Sequence, residues 1–353
     1  MVLNKKRVLI TGGTGSLGKT LLKRILRGEI GKPNKIIIFS RDEAKQHELR
    51  MSYKHKRVAT DEIIYHNFEE LVEFRIGDVR DFHSIASAVK DADIIFNAAA
   101  LKQVPTCEYF PFEAVQTNII GPENIIRAIR ENRLSVNTVT GVSTDKACKP
   151  VNVMGMTKAI QERIFIEANL SCPQTRFICV RYGNVLASRG SVIPLFHDQI
   201  KAGTTVTITT KDMTRFLLSL NDAVNVIFAA VRSAHRGETY IPCVPSARVV
   251  DIAEILIGKR KNKIKITGIR PGEKIHEILI SEEECRRTFK RGNFYAIKSI
   301  LPELQLKTNE PIALDDEYSS AANLMSKKDL WDLLRREHLM LEDNKGILEE
   351  SIQ

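Results

Sequence analysis

A strand, a glycine-rich loop and an amphipathic helix follow one another near the start of the chain, and this stretch limits the fold most strongly. It reads KRVLITGGTGSLGKTLLKRIL from Lys6, with glycines spaced G-x-x-G-x-x-G at Gly12, Gly15 and Gly18. Such glycines permit a tight turn, close approach of the backbone to a pyrophosphate, and close packing of helix on strand. The stretch predicts a Rossmann-type α/β fold with a parallel sheet, which holds dinucleotide phosphates at the helix N-terminus.

The second predicted strand, KIIIFS, bears on the choice of cofactor because it ends beside the adenosine ribose. An acid at this point holds a ribose 2′-hydroxyl, whereas an arginine suits a 2′-phosphate. Both types are present, as Asp42 and Arg41. Ser40 and Arg41 together favour NADP, and NAD stays the alternative. The other predicted cofactor contacts are Thr14, Ser16 and Leu17 in the loop, Asp78 and Val79 after the third strand, Ala98 and Ala99 after the fourth, Lys102, Asn118 and Lys158.

The composition describes an ordinary globular protein of 353 residues, 43% of them hydrophobic. No apolar run approaches the roughly 20 residues of a membrane-spanning helix, and the first residues lead into a strand rather than a signal peptide. We therefore expect a cytoplasmic protein without membrane insertion. The formal charge of +10 is spread along the chain without a nucleic-acid-binding motif, so we attribute it to solvated surface and small polyanionic ligands. The six cysteines contain no C-x-x-C pair, and no metal site is expected.

The predicted fifth strand lies in VNTVTGVSTDKACKP and ends in a polar segment that includes Thr144, Asp145 and Lys146. Ligands of open parallel sheets bind at the carboxyl ends of the strands, so these side chains should face the site. An alternative interpretation of the segment is a surface turn rich in small polar residues.

The next helix should begin near Asn152, which is a good N-cap residue. It places Met154 and Lys158 one turn apart on the same face. Taken alone, Met154 is equally compatible with a position in the apolar core.

At this point the sequence resembles a known family. From Lys6 to about Leu279 it is similar to the extended short-chain dehydrogenase/reductase superfamily, and more closely to the soluble nucleotide-sugar 4,6-dehydratases. Those enzymes act on UDP-N-acetylglucosamine in capsule, O-antigen and flagellin sugar biosynthesis. The matching motifs, in chain order, are TGGTGSLG, FSRDE, GDVRD, NAAALKQVP, STDKA, NVMGMTK, RYGNVLASRGSVIPLF, MTRF and RPGEKIHE.

One residue departs from the superfamily pattern. Most members carry a proton-transferring tyrosine where this chain has Met154. A subgroup that resembles capsule and O-antigen enzymes also has M-x-x-x-K and inverts C5, so the resemblance implies an active, inverting enzyme. Retention at C5 stays open. The acceptor of the 4-hydroxyl proton also stays open between Lys146, water and Lys102.

The resemblance also implies catalytic roles. Hydride passes from C4 of the sugar to the nicotinamide, C5 loses a proton, the 6-hydroxyl leaves, and hydride returns to C6. Asp145 would be the acid for the 6-hydroxyl and Lys146 the base at C5. Thr144 would lie near the 4-oxygen and Lys158 at the nicotinamide ribose. Burial in a closed site should raise the pKa of Asp145 and lower that of Lys146, which is the direction this chemistry needs.

The rest of the chain is expected to bind the nucleotide sugar. We assign residues 1–180 to the NADP-binding domain, to which some later segments return, 181–325 mainly to a nucleotide-sugar-binding lobe, and 326–353 to a helical tail. Members of the resembled family associate as dimers or hexamers, so a homo-oligomer is expected. The predicted substrate-binding residues are Lys102, Met154, Asn184, Arg189, Val192, Pro194, Arg215, Arg270 and Glu273.

Two rival functions remain from the sequence alone. A nucleotide-sugar 4-epimerase or ketoreductase has the same fold but no need for an adjacent acid and base. A non-catalytic NADP-binding scaffold would not need the diphosphate and uridine contacts. Among substrates, UDP-glucose is the main competitor.

Overall fold

The computed structural model describes residues 1–54, 68–186, 191–305 and 309–345, and its largest element is a nine-stranded sheet. The strands in these residues are β1 Arg7–Thr11, β2 Lys35–Ser40, β3 Val72–Ile76, β4 Ile94–Asn97, β5 Thr138–Val142, β6 Arg176–Val180, β7 Asn184–Val185, β8 Val206–Ile208, β9 Thr214–Leu218, β10 Thr239–Pro242, β11 Ser246–Arg248, β12 Ile264–Ile266, β13 Ile278–Ile280, β14 Thr288–Arg291, β15 Phe294–Ile297 and β16 Tyr318–Ser319.

Helices cover both faces of this sheet and build the second lobe. The α-helices are α1 Ser16–Leu26, α2 Glu43–Lys54, α3 Phe82–Val89, α4 Val104–Tyr109, α5 Pro111–Val115, α6 Gly121–Glu131, α7 Val153–Ser171, α8 Val192–Lys201, α9 Leu220–Ser233, α10 Val249–Ile257, α11 Glu282–Cys285 and α12 Lys327–Arg336. A π-helical turn spans Gln116–Ile120, and 3₁₀ turns span Asp145–Ala147, Pro302–Leu304 and Leu341–Lys345.

The order of the strands confirms the predicted Rossmann-type sheet. It runs β14-β15-β10-β6-β5-β4-β1-β2-β3, and the strands from β10 to β3 are mutually parallel. β15 and β14 extend one edge antiparallel. The chain order reverses between β1 and β4, which is where open α/β sheets form their ligand crevice at the carboxyl ends of the strands.

The apolar sequence of the strands explains why they lie in the centre. β1 reads RVLIT and β2 reads KIIIFS, and nearly all their residues are buried, as in parallel strands covered on both faces. On one face α1 and α9 pack through residues such as Leu21 and Ile227. On the other, α3, α6 and α7 contribute Ile85, Ile125 and Phe165.

A second lobe forms around three small sheets and helices α8, α10 and α12. The predicted tail helix begins after Ser326, whose side chain accepts a hydrogen bond from the Asp329 backbone nitrogen. It packs back on this lobe through Leu330 and Leu334, whereas Trp331 is 38% exposed. Strands β10, β14 and β15 come from the region 181–325 but pair in the main sheet. The domain boundaries themselves stay a prediction.

Two further observations concern the described residues as a whole. None of their helices is both long and apolar enough to cross a membrane. Within the same ranges, no group of three or more His, Cys, Asp or Glu side chains is arranged to hold a metal ion.

Candidate functional site

The glycine loop after β1 has the geometry that the sequence predicts. Gly12 has a φ of +65°, and a Cβ there would lie 2.8 Å from the backbone nitrogen of Ala99. A Cβ at Gly18 would lie 2.5 Å from the Cα of Gly13, so only glycine lets α1 approach the loop this closely. Gly15 is the N-cap of α1 and, within the described structure, no side chain caps this end. The first turn of α1 therefore presents backbone N–H groups, with Ser16 exposed beside them.

The ends of β1 and β4 form the floor next to this loop. The Thr11 hydroxyl donates to Asn97 Oδ1 at 2.8 Å and accepts from the Ala99 nitrogen at 3.2 Å. Asn97 Nδ2 is buried, and no partner for it is found in the part of the chain that the structure describes. Because an unpaired buried donor is costly, this amide and the small residues Ala98 and Ala99 are suited to a ligand lying on the strand ends.

The two side chains that bear on the choice of cofactor, Asp42 and Arg41, follow β2 and have different surroundings. Asp42 accepts a hydrogen bond from the Lys45 backbone nitrogen at 3.0 Å and pairs with the Lys45 ammonium, whose hydrogen bond lowers the pKa of Asp42. Arg41 is 61% exposed, and its Nη1 lies 3.6 Å from Asp78 Oδ2. The Asp42 carboxylate is thus already paired with Lys45 at the start of α2, whereas the Arg41 side chain extends into solvent beside the crevice.

Asp78 and Val79 follow β3 in the same crevice. Burial raises the pKa of Asp78, but hydrogen bonds from Arg80 outweigh this effect and leave the pKa lowered. Val79 is buried, and its carbonyl accepts from Asn124 Nδ2 at 3.0 Å. Both residues are held by neighbours on the sheet edge next to β2.

Asn118, expected to contact the cofactor, is engaged with the protein instead. Its Oδ1 accepts from the Leu101 nitrogen at 2.8 Å, and its Nδ2 donates to the Leu101 carbonyl and to Thr157 Oγ1. Asn118 therefore holds the loop after β4 that carries Lys102. A direct contact with a cofactor stays a prediction.

The polar segment after β5 forms a 3₁₀ turn that packs an acid against a lysine. Asp145 is 0% exposed and accepts from the Thr144 hydroxyl at 2.8 Å. Lys146 Nζ lies 3.1 Å from Asp145 Oδ1 and 3.3 Å from Glu277 Oε1. Arg215 Nε lies 3.8 Å from the same Glu277 oxygen. We call Asp145, Lys146, Glu277 and Arg215 the Lys146 cluster.

The charges in this cluster contradict the predicted direction of the pKa shift of Lys146. Burial lowers the pKa of Lys146, but the carboxylates of Asp145 and Glu277 outweigh it, and the net pKa is raised despite Arg215. The prediction of a lowered pKa is therefore wrong. Glu277 is the residue that the sequence analysis missed. It is the last residue of RPGEKIHE, a motif in which only Arg270 and Glu273 were expected to bind the substrate.

Helix α7 places Lys158 and Met154 as its N-cap predicts, since Asn152 Oδ1 accepts from the Gly155 nitrogen. Lys158 Nζ donates to the Val142 carbonyl and to Gln161 Oε1, both at 2.6 Å, and burial lowers the pKa of Lys158 to about 8. The Met154 side chain packs in a small apolar cluster. Its contact with a substrate stays a prediction.

Several predicted substrate-binding residues lie in the second lobe next to the crevice. Asn184 Oδ1 and the Ser191 hydroxyl are buried, and the described chain supplies neither with a partner. Val192 and Pro194 form the first turn of α8, directly after Ser191. Arg189 lies outside the described residues.

Three other predicted residues come from the strands and loops opposite. Arg215 is held by two backbone carbonyls, since its Nη1 donates to Thr214 at 2.7 Å and to Ile275 at 3.1 Å. Glu273 Oε2 accepts from Thr209 Oγ1 at 3.3 Å. Arg270 is exposed on the same loop as Glu273. Of these three residues, Arg215 is the one that belongs to the Lys146 cluster.

A second buried ion cluster lies beside the first. Arg181, at the end of β6, is 2.6 Å from Glu162 on α7 and 2.9 Å from Glu284 on α11. Burial raises the pKa of Glu284, but the Arg181 guanidinium outweighs it and lowers the pKa to about 2. We call Glu162, Arg181 and Glu284 the Arg181 cluster. It joins the main sheet to the second lobe.

The chain is similar to proteins of known classes along most of its length. Residues 8–299 match a family described as polysaccharide biosynthesis protein. A UDP-glucose 4-epimerase of Rickettsia bellii is 43% identical over 325 residues, which are 89% of this chain and 91% of the relative. A UDP-N-acetylglucosamine 4,6-dehydratase (inverting) of Campylobacter jejuni is 44% identical over 299 residues, which are 84% of each protein.

Solved structures agree with the fold. Pen from Bacillus thuringiensis is 35% identical, with a TM-score of 0.85 over 96% of this chain and 100% of that one. More distant structures at 18% identity, with TM-scores of 0.63 and 0.60, show the fold alone. The chain therefore belongs to the polysaccharide biosynthesis protein family and has the Rossmann fold of the extended short-chain dehydrogenases/reductases, and its curated relatives are nucleotide-sugar dehydratases and epimerases.

Proposed function

We propose that the chain is a nucleotide-sugar 4,6-dehydratase that converts UDP-N-acetylglucosamine to a UDP-4-keto-6-deoxy sugar with inversion at C5. The observation that carries the proposal is the contact of 3.1 Å between Asp145 and Lys146. Loss of the 6-hydroxyl needs an acid and a base close together, whereas exchange at C4 needs only one proton acceptor. The name of the Campylobacter relative supports the same activity.

The Asp145–Lys146 pair can change between a resting and a reactive state without gaining or losing protons. In both states the pair shares one transferable proton. This proton is on the amine when the aspartate is ionised, and on the carboxyl group when the amine is neutral. Transfer along the 3.1 Å contact would turn the first state into the second. Asp145 then gives its proton to the departing 6-hydroxyl, and Lys146 takes the proton from C5. The ion pair of the resting enzyme is thereby restored.

NADP is the cofactor that we propose, because the cradle at the carboxyl ends of the strands suits a dinucleotide and the exposed Arg41 beside it suits a 2′-phosphate. When bound, it would supply reversible hydride exchange with the sugar. Gly12 and the first turn of α1 would hold the pyrophosphate where a Cβ would collide with Ala99. Arg41 would bind a 2′-phosphate, and Lys158 would bind the nicotinamide ribose. Two distant structures of this fold were solved with NAD, which stays the alternative.

The nucleotide sugar would bind across the second lobe. Arg215 and Arg270 suit the diphosphate, since guanidinium groups bind phosphate oxygens in pairs. Glu273 suits the hydroxyls of the uridine ribose. The buried Asn184 Oδ1, which has no partner in the described ranges, would accept a hydrogen bond from the sugar.

A second candidate is a UDP-glucose 4-epimerase, because the Rickettsia relative carries that name. The mass of the product distinguishes the two. Incubation with UDP-N-acetylglucosamine should give a product lighter by one water, with no net change in NADPH. An isomer of unchanged mass, from this substrate or from UDP-glucose, would establish the epimerase instead. Consumption of NADPH in a separate incubation with a UDP-4-keto sugar would indicate a ketoreductase, and no product from any of these substrates would favour a binding protein.

A further inference from the structure

Glu277 lies just before β13 and is fixed by the protein on both sides. Its backbone nitrogen donates to Ser320 Oγ at 2.9 Å, and its carbonyl accepts from the Ser320 nitrogen at 2.8 Å. The side chain is buried, and its Oε1 contacts Lys146 Nζ at 3.3 Å and Arg215 Nε at 3.8 Å. A residue of the second lobe is thereby brought against the segment after β5.

The charged groups around Lys146 come from three elements. Asp145 is its neighbour in the 3₁₀ turn, Glu277 precedes β13, and Arg215 is on β9. Lys274 faces the same cluster but donates to the Cys148 carbonyl, and burial lowers its pKa. Lys146 therefore contacts two carboxylates, with two further cations nearby.

Only one oxygen of the Glu277 carboxylate is used by these contacts. Its Oε2 is buried, and the described residues offer it no hydrogen bond. An acceptor in that state costs about 1–3 kcal/mol, so a purely structural carboxylate should not be left half-paired. The position is better explained by a task that needs a negative charge next to Lys146.

We propose that Glu277 is a positioning residue, whose carboxylate holds the Lys146 ammonium opposite Asp145 and controls how readily Lys146 releases its proton. An opposite charge at this distance favours the charged amine. The role in turnover rests on the proposed dehydratase activity. The coupling of charge between Glu277 and Lys146 does not, because it is a property of the protein without substrate.

The coupling can be measured by competitive labelling of Lys146 in the full-length protein. Limiting acetic anhydride reacts only with the neutral amine, and the side chain of Lys146 is 20% exposed, so a small reagent can reach it. Mass spectrometry of the Lys146 peptide against pH, normalised to the exposed Lys328, gives the titration midpoint. Glu277→Gln should lower this midpoint by about one to three pH units.

Glu283→Gln is the matched control, because it removes a carboxylate that does not contact Lys146. Glu283 is on α11, which follows β13, and it pairs with Arg287. Glu283→Gln should therefore leave the Lys146 midpoint unchanged. Glu277→Asp keeps the charge but lengthens the contact, and should give a midpoint between those of Glu277→Gln and the wild type. If Glu277→Gln does not fold, Glu277→Asp alone carries the test. A midpoint that is unchanged or raised in the Glu277 variants would overturn the proposal.

The activity of the same variants separates this inference from the proposed function. The proposed mechanism needs the proton that the Asp145–Lys146 pair shares, so the rate should fall as the pH rises through the pKa of Lys146. Glu277→Gln should therefore shift the falling limb of kcat to lower pH with little change in KM. A wild-type protein that does not dehydrate UDP-N-acetylglucosamine would overturn the proposed function, whereas the labelling midpoints would still decide whether Glu277 controls Lys146.

Discussion

The Arg181 cluster and the Lys146 cluster both consist of buried carboxylates paired with basic side chains, and both join the main sheet to the second lobe. In the Arg181 cluster all four carboxylate oxygens accept hydrogen bonds. In the Lys146 cluster Asp145 Oδ2 and Glu277 Oε2 are buried, and no described residue pairs with them. Because buried acceptors are costly when unpaired, the first cluster is suited to stability, and we propose that the open acceptors of the second serve a ligand.

The largest effect expected from this contrast is on turnover by Asp145→Asn. The amide keeps the size of the carboxyl group but cannot deliver a proton to the 6-hydroxyl, so kcat should fall by about 10²- to 10⁴-fold. The unfolding midpoint in urea should change little. Turnover with UDP-N-acetylglucosamine and urea unfolding are measured on the same preparation, with Glu283→Gln as the control. Full activity in Asp145→Asn would remove this residue from the mechanism.

Arg181→Met should have the opposite profile, with its main effect on stability. It leaves the carboxylates of Glu162 and Glu284 buried without their cation, which should cost about 3–5 kcal/mol in the free energy of unfolding. The control is Arg248→Met, because the Arg248 side chain is 48% exposed and its partner Asp251 keeps a contact with Lys327, so the loss of stability should be much smaller. Urea titrations measure both variants. Equal losses would mean that burial does not distinguish the two arginines.

Acid should weaken the Arg181 cluster in a defined pH window. The pKa of Glu284 is about 2 in the folded protein and ordinarily 4.5, so its stabilising effect is complete above pH 4.5 and lost as the pH falls towards 2. The loss should be on the order of 3 kcal/mol. Urea unfolding of the wild type should therefore weaken across this window more steeply than that of Glu284→Gln. Parallel decreases in the two proteins would contradict the assignment.

Local signals in the sequence predicted the cofactor side of the molecule. The glycine spacing, the strand ends and the Asn152 N-cap act over a few residues, and the structure has these elements where they were expected. The charge of Lys146 was predicted wrongly, because it depends on Glu277, which only the folding of the second lobe brings near. Asn118 shows the same limit, since its hydrogen bonds to Leu101 and Thr157 depend on tertiary packing. Spacing along the chain cannot reveal such contacts.

The most direct test of the dehydratase proposal is the proton NMR spectrum of UDP-N-acetylglucosamine incubated with the protein in D₂O. The proposal predicts a new C6 methyl singlet, deuterium at C5, and the L-configuration at C5 after reduction with borohydride. The D-configuration would show that the enzyme retains C5 despite Met154. An unchanged substrate, or a 4-epimer that keeps its 6-hydroxyl, would contradict the claim that the Lys146 cluster supports elimination.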